Sequence, residues 1–286
     1  MANALTPLNP EWWSNRMGRL QKKTLVARAI CSTREEAKLT DGDIVNRPYI
    51  SDLSVNTYVK GTAVTIQDIT STNEQLAVDQ SKESSFYVDD VDVIQNRYDV
   101  MAEQSDRATY QLNDGIDSFV FGKYGDIADS VDDGDIGGTN GNPITASTSN
   151  IQRVFTALKK KMREANISMT GDTFMVVSPE EAELIELYVA ANGFNTADAT
   201  IRNGYAGNFL GVKVYVSNNL TDTANVRHAI GGKLGAIDLV VQKQPSVQIK
   251  DVSDKLGKNF LVHTLYGAKI FNQGSKEIFD VQLSTA

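Results

Sequence analysis

The sequence predicts an α+β fold, and three observations carry that prediction. Residues 43–89 alternate apolar and polar at period two, and residues 90–122 keep one apolar stripe at helical period. Beyond residue 147, short β-runs mix with two amphipathic helices. The 286 residues include 41% hydrophobic and 22% charged side chains, enough to build a core. Such a length fits about two domains, or one large one.

Composition excludes several function classes. Twenty-eight Lys and Arg against 36 Asp and Glu give a formal net charge of −8, which argues against general nucleic-acid binding. No run reaches the roughly 18 apolar residues of a membrane helix. Residues 1–10 show no basic segment leading into an apolar run, so no secretory signal is expected. The single cysteine, Cys31, cannot form an internal disulfide framework. Two histidines, His228 and His263, are too few and too far apart for an ordinary zinc site.

Charge is unevenly spread. Between Trp12 and Arg34 there is no acid, only the bases Arg16, Arg19, Lys22, Lys23, Arg28 and Arg34. From Asp89 to Asp135, acids outnumber bases 13 to three. Opposite-sign segments of this kind meet within a subunit, meet between subunits, or stay as solvated faces.

Taken in order, Asn9-Pro10-Glu11 reads as a helix start, with a capping side chain, a first-turn proline and an acid. Trp13, Met17 and Leu20 then recur at helical spacing beside a basic stripe of Trp12, Arg16, Arg19 and Lys23. A helix this short cannot bury its tryptophans alone, so it is expected to dock on something else. Alternation at Val55–Val59, Val64–Asp68, Leu76–Val78 and Phe86–Val88, with turn signals at Lys60-Gly61 and Ser71-Thr72-Asn73, predicts a long hairpin. Both its faces are polar, so it has no core of its own and suits a neighbouring surface. Val91, Ile94, Tyr98, Met101, Ala108, Leu112, Ile116 and Phe119 then predict a helix over 90–122, about 50 Å long. Asp99, Glu103, Asp106 and Asp117 fall on its opposite, acidic side. Residues 125–147, rich in Gly, Asp and Asn, are expected to form a flexible surface loop that buries little. Its aspartates fail a calcium loop, because aligning Gly134 to the sixth position puts Val131 at the third and Asn140 at the twelfth.

The remainder predicts a helix from Ile151 to Met162 with a wet face of Lys159, Lys160 and Arg163, and a strand Thr173–Val177. Ser178-Pro179-Glu180 opens a further helix, which ends at Asn192-Gly193. Strands are expected over 209–216, 237–241, 247–252, 260–265 and 278–283.

A search for catalytic chemistry yields little. Gly231-Gly232-Lys233-Leu234 lacks the upstream glycine and the Ser/Thr of a phosphate loop, and Gly137-Gly138 and Gly141 do not lie between a strand and a helix. No G-x-S-x-G elbow is present. Cys31 reads as an apolar filler, and His228 and His263 as structural. No catalytic, cofactor-binding or metal residue is assigned.

The order of wet hairpin, acidic strut helix and α+β body resembles the major capsid proteins of tailed bacteriophages, with the Hong Kong 97-type fold. The resemblance rests on Leu76-Ala77-Val78-Asp79-Gln80, on Phe86-Tyr87-Val88-Asp89-Asp90-Val91-Asp92 with Gln95, and on Ile116-Asp117. It rests further on Val176-Val177-Ser178-Pro179-Glu180, on residues 207–218 (GNFLGVKVYVSN), on Ala229-Ile230 and Ala236-Ile237, and on Tyr266-Gly267-Ala268-Lys269-Ile270. It implies an N-terminal arm over 1–40, an extended loop over 41–89, a peripheral domain with the spine helix over 90–149 and 241–286, and an axial domain over 150–240. It also implies no enzymatic activity and no cofactor. The chain is expected to form hexamers and pentamers of an icosahedral shell enclosing double-stranded DNA, without sequence-specific or membrane binding. A separate scaffolding protein, a portal and a decoration protein are expected partners. The virion capsid is the expected location, after synthesis in the host cytoplasm.

The residues expected to touch other subunits are Trp12, Trp13, Arg16, Arg19, Lys60, Lys82, Asp99, Glu103 and Asp106. Lys60 and Lys82 lie in the loop, with no partner asparagine identified for a cross-link. Rival readings are an encapsulin-type compartment shell and, further off, an unrecognised soluble enzyme. A repeat-rich tail or adhesion protein is disfavoured by the lack of repeats.

Overall fold

A computed structural model of the chain describes residues 22–37, 39, 42–95, 100–169, 171–191, 205–252, 256–271 and 276–284. Trp12, Trp13, Arg16, Arg19, Asp99 and the expected helix start at Asn9 lie outside the described residues. The elements run α1 (Ala27–Ile30), β1 (Ile44–Ile50), β2 (Ser71–Ala77), β3 (Gln80–Asp89), α2 (Asp90–Gln95) and α3 (Val100–Phe121). Then follow β4 (Ser130–Val131), α4 (Ile151–Glu164), β5 (Thr173–Val177), α5 (Pro179–Ala191), β6 (Tyr205–Phe209) and β7 (Val212–Val216). The last are β8 (Thr221–Thr223), β9 (Val226–Lys233), β10 (Asp238–Asp251), β11 (Gly257–Lys269) and β12 (Ile278–Ser284).

A seven-stranded sheet forms the body, in the order β4-β12-β9-β5-β7-β6, with β8 beside β9. Its central strand, β5, is buried along its whole length and alternates between two cores. Met175 and Val177 join Val154, Phe155, Leu158 and Met162 of α4 and Ile185 of α5 on one face. Phe174 and Val176 join Ile116, Val120 and Phe121 of α3 and Val26, Ala27 and Ile30 of the N-terminal segment on the other. The period-two side-chain alternation of a strand is what lets one strand serve both cores. At Ser178 the chain leaves β5 through a capping box. The Glu181 carboxylate accepts the Ser178 N–H at 2.9 Å, and the Ser178 hydroxyl accepts the Glu180 N–H at 3.2 Å.

A second sheet, β10-β11-β3, lies under α3, which rests on it through Ala108, Leu112 and Val262. Phe86 stacks on its cross-strand partner Phe260 with ring centroids 5.0 Å apart. From this region projects the β1–β2 ribbon, paired from Ile44↔Ala77 to Ile50↔Ser71.

Several expectations are corrected. Residues 51–70 form no strands. The alternation there has no apolar surface to pack on among the described residues, and an isolated two-stranded hairpin is marginal at best. β3 pairs with β11 rather than continuing the hairpin, so the projection ends near residue 78, not 89. Val91 and Ile94, expected in the buried stripe of the long helix, are exposed. Residues 125–147 do not form a loop that buries little: β4 pairs with β12, Val131 and Ile144 are fully buried, and Asp132 and Asp135 close a capping box. The run 209–216 is broken into β6 and β7 by Leu210-Gly211, both at positive φ. Expected strands 237–241 and 247–252 are one strand, β10. Within 241–286, β12 sits between β4 and β9 in the body sheet.

Candidate assembly interface

The projection is where chain physics and function meet. Its root is fixed: Leu76 and Val78 pack with Leu39, Val240 and Phe271 in a small separate core. Arg47 on β1 bonds Asp238 at 2.7 Å and lies over the Phe271 ring at 3.9 Å. β11 passes so close that a Cβ on Gly267 would stand 2.2 Å from the Ala77 carbonyl oxygen. Beyond the root, support ends. The tip is held by the Gln67 side chain, which accepts the Ser54 N–H at 2.9 Å and donates to the Ser54 carbonyl at 2.6 Å. Leu53, Tyr58, Val59, Val64 and Ile69 are exposed, Val55 is 100% exposed and Ile66 89%. These apolar side chains stand largely in water.

The N-terminal segment docks within its own chain over the residues described. Asp117 on α3 is only 2% exposed, contrary to its expected place on an acidic outer face. Its Oδ1 accepts the Val26 and Ala27 N–H groups at 2.8 and 2.6 Å, caring for donors at the start of α1. Its Oδ2 accepts from Asn219 Nδ2 at 3.1 Å. Burial raises the Asp117 pKa above the ordinary aspartate value, and the Ala27 and Val26 bonds offset only part of that rise. Lys23 reaches Asn219 Oδ1 at 2.7 Å and Asp114 at 3.6 Å, and Lys22 lies over the Tyr110 ring at 5.2 Å. Basic segment and acidic helix therefore do meet, inside one subunit.

Two further polar joints hold the body. Arg227 on β9 bonds Asp222, Glu180, Glu181 and the Ser178 hydroxyl. Burial alone would lower its pKa, but the bonds to Asp222 and Glu180 prevail and raise it. His228 Nδ1 lies 2.8 Å from Asp280 Oδ2, and Tyr124 stacks on the imidazole with centroids 3.8 Å apart. Burial raises the Asp280 pKa, with the His228 bond opposing, and its Oδ1 is buried with no hydrogen-bond partner. Burial likewise raises the Cys31 thiol, assisted by the charges of Asp117 and Asp238, so this is a poor nucleophile. Among the described residues, no three or more His, Cys, Asp or Glu side chains gather as a metal site.

Of the expected contact residues, only Lys60, Lys82, Glu103 and Asp106 fall among the described residues, and no hydrogen bond or ion pair joins any two of them there. Lys60 sits at the tip turn and Lys82 on β3, both exposed and in no ion pair among the described residues. Glu103 accepts from Arg107 one turn on at 3.1 Å, and Asp106 is exposed on α3. Asp117, Asp280 and Arg227 were not singled out as contact or joint residues from sequence. Only Ile116-Asp117, within the family resemblance, pointed at the first.

A two-faced body sheet, a spine helix crossing onto a second sheet and a rooted, unsupported projection together define a shell-building subunit of the Hong Kong 97-type fold. Residues 51–272 match the family described as phage capsid protein, and this chain belongs to that family. Among solved structures, a chain of Mycobacterium phage Che8 superposes with a TM-score of 0.80 at 21% identity, covering 95% of this chain and 96% of that one. The capsid of cyanophage P-SCSP1u gives 0.74 at 13% identity, over 100% and 96% of the two chains. That of Ralstonia phage GP4 gives 0.71 at 13%, over 98% and 96%. At these identities the likeness is one of fold. No curated protein sequence matches the chain. The chain is a structural protein of the virion capsid, acting in a homo-oligomeric shell.

Proposed function

We propose that this chain is the major subunit of an icosahedral shell of hexamers and pentamers that encloses double-stranded DNA, and that it catalyses no reaction. Residues 43–78 serve as the extended loop, and residues 150–240, joined by β12, as the axial part facing hexamer and pentamer centres. A scaffolding protein, a portal and a decoration protein complete the assembly, and synthesis takes place in the host cytoplasm. One observation carries the reading: the tip over 51–70 exposes its apolar side chains and has no ladder in its own subunit. Exposed apolar surface of that size gains stability when a neighbouring copy covers it. Family membership favours this over an encapsulin-type compartment, which would hold cargo protein instead of DNA.

The test replaces Val55 and Ile66 by aspartate. Both side chains are solvent-exposed, so the subunit should keep its circular dichroism spectrum while sedimentation and negative-stain microscopy show loss of shells. Shells of normal yield from the double variant would remove the tip from assembly. Nuclease-protected DNA inside wild-type particles separates a virion shell from a protein-filled compartment.

A further inference from the structure

The outer face of α4 is strongly basic in a chain that is acidic overall. Five of its fourteen residues are Lys or Arg, and Glu164 is its one acid. Its apolar residues Ile151, Val154, Phe155, Leu158 and Met162 are committed to the body sheet, so Arg153, Lys160 and Arg163 point away from it and are exposed. Arg153 and Arg163 form no ion pair among the described residues, and Lys159 donates to a neutral partner, the Leu210 carbonyl. Lys160 meets Glu164 only at 3.9 Å, with both side chains well exposed. Lys161 is neutralised more closely, by Asp129 and Asp135. Glu183 and Glu186 on the adjacent α5 are exposed and form no ion pair among the described residues. On the opposite face of the same sheet lie the end of α3 and the N-terminal segment, which carries Lys23 and Arg28.

We propose that the α4 face is the wall surface that looks onto the enclosed DNA, with Arg153, Lys160 and Arg163 contacting phosphates. This rests on the reading that the shell encloses DNA. From 153 to 163 the row spans about 15 Å at the rise of an α-helix. A duplex carries one phosphate charge per roughly 1.7 Å of its axis, so several phosphates fall within reach. A helix face offering bases and no base-reading groove geometry holds DNA by charge alone, which suits packing of any sequence.

The test uses the full chain as soluble subunits, with a short duplex DNA as probe and anisotropy as readout over a salt series. Arg153→Glu with Arg163→Glu should lower affinity at least about tenfold and flatten the salt dependence. Lys250→Glu with Lys258→Glu makes the same change in net charge on the other sheet and should change affinity far less. Arg153→Lys with Arg163→Lys should bind almost as the wild type does. No binding by the wild type, or equal losses in the two charge-reversed variants, overturns the assignment. So does unchanged DNA binding with loss of shells in R153E/R163E, which would make the face a contact between copies. Nuclease protection in wild-type particles is scored separately. Particles without DNA overturn the enclosing reading and this proposal with it, whereas DNA-filled particles with unaffected R153E/R163E binding overturn the α4 assignment alone.

Discussion

Asp117 shows how one side chain fixes the path of a segment ninety positions away. Two main-chain donors of α1 and the Asn219 amide converge on a carboxylate that is almost wholly buried. Replacing it with alanine leaves buried donors without an acceptor, at a cost of about 2–3 kcal/mol, read as a lower denaturant midpoint. Its raised pKa also sets a sign. The folded state holds the proton more tightly than the unfolded chain, so this group's contribution grows on acidification and is lost as pH rises through the raised value. Unfolding free energy of Asp117→Asn should therefore rise less than that of wild type between neutral pH and about pH 4. An identical pH slope in the two proteins would contradict the buried-carboxyl account. At the other joint, His228→Ala removes the shorter of two bonds to Asp280 Oδ2, leaving only Gln282 Nε2 at 3.3 Å to a buried carboxylate whose second oxygen already lacks a partner. A loss of about 3 kcal/mol is expected, measured by chemical denaturation.

At the scale of elements, the root of the projection depends on an absent side chain. A Cβ at Gly267 would meet main-chain atoms of Ala77 and Val78, which cannot swing aside as a flexible side-chain end could. Gly267→Ala should push the ribbon off β11, costing about 1–3 kcal/mol and raising hydrogen exchange at residues 76–78. The segment 125–147 behaves as an element too. Gly141 and Thr139 donate to Asp132 and Asp133, and Gly134 packs against the Asn140 main chain. A short tag inserted near Asn140 should lower thermal stability and shell yield together, and full tolerance would show the segment to be the loop its composition suggests.

For the whole molecule, the rigid body and the unsupported tip predict an uneven pattern of protection. Amides of β5 and β12, deep in the body sheet, should exchange slowly in subunit and shell alike. Those of 51–70 should exchange fast in the subunit and become protected in the shell. Equal exchange in both states would mean that no neighbour covers the tip.

Sequence alone determined the local elements whose signals are short-range. The strand Thr173–Val177, the Ser178-Pro179 helix start and the amphipathic α4 each follow from spacing and capping chemistry within a few residues. The family was legible as well, because turn and junction residues keep their order along the chain. The tertiary structure decided what depends on partners far apart in sequence. It paired β3 with β11 instead of the hairpin, drew β12 into the body sheet, buried Val131 and Ile144 beneath a polar-looking segment and turned Asp117 inward to receive α1. An aspartate on a helix carries no local mark of facing inward, since only donors arriving from another part of the chain make its burial tolerable.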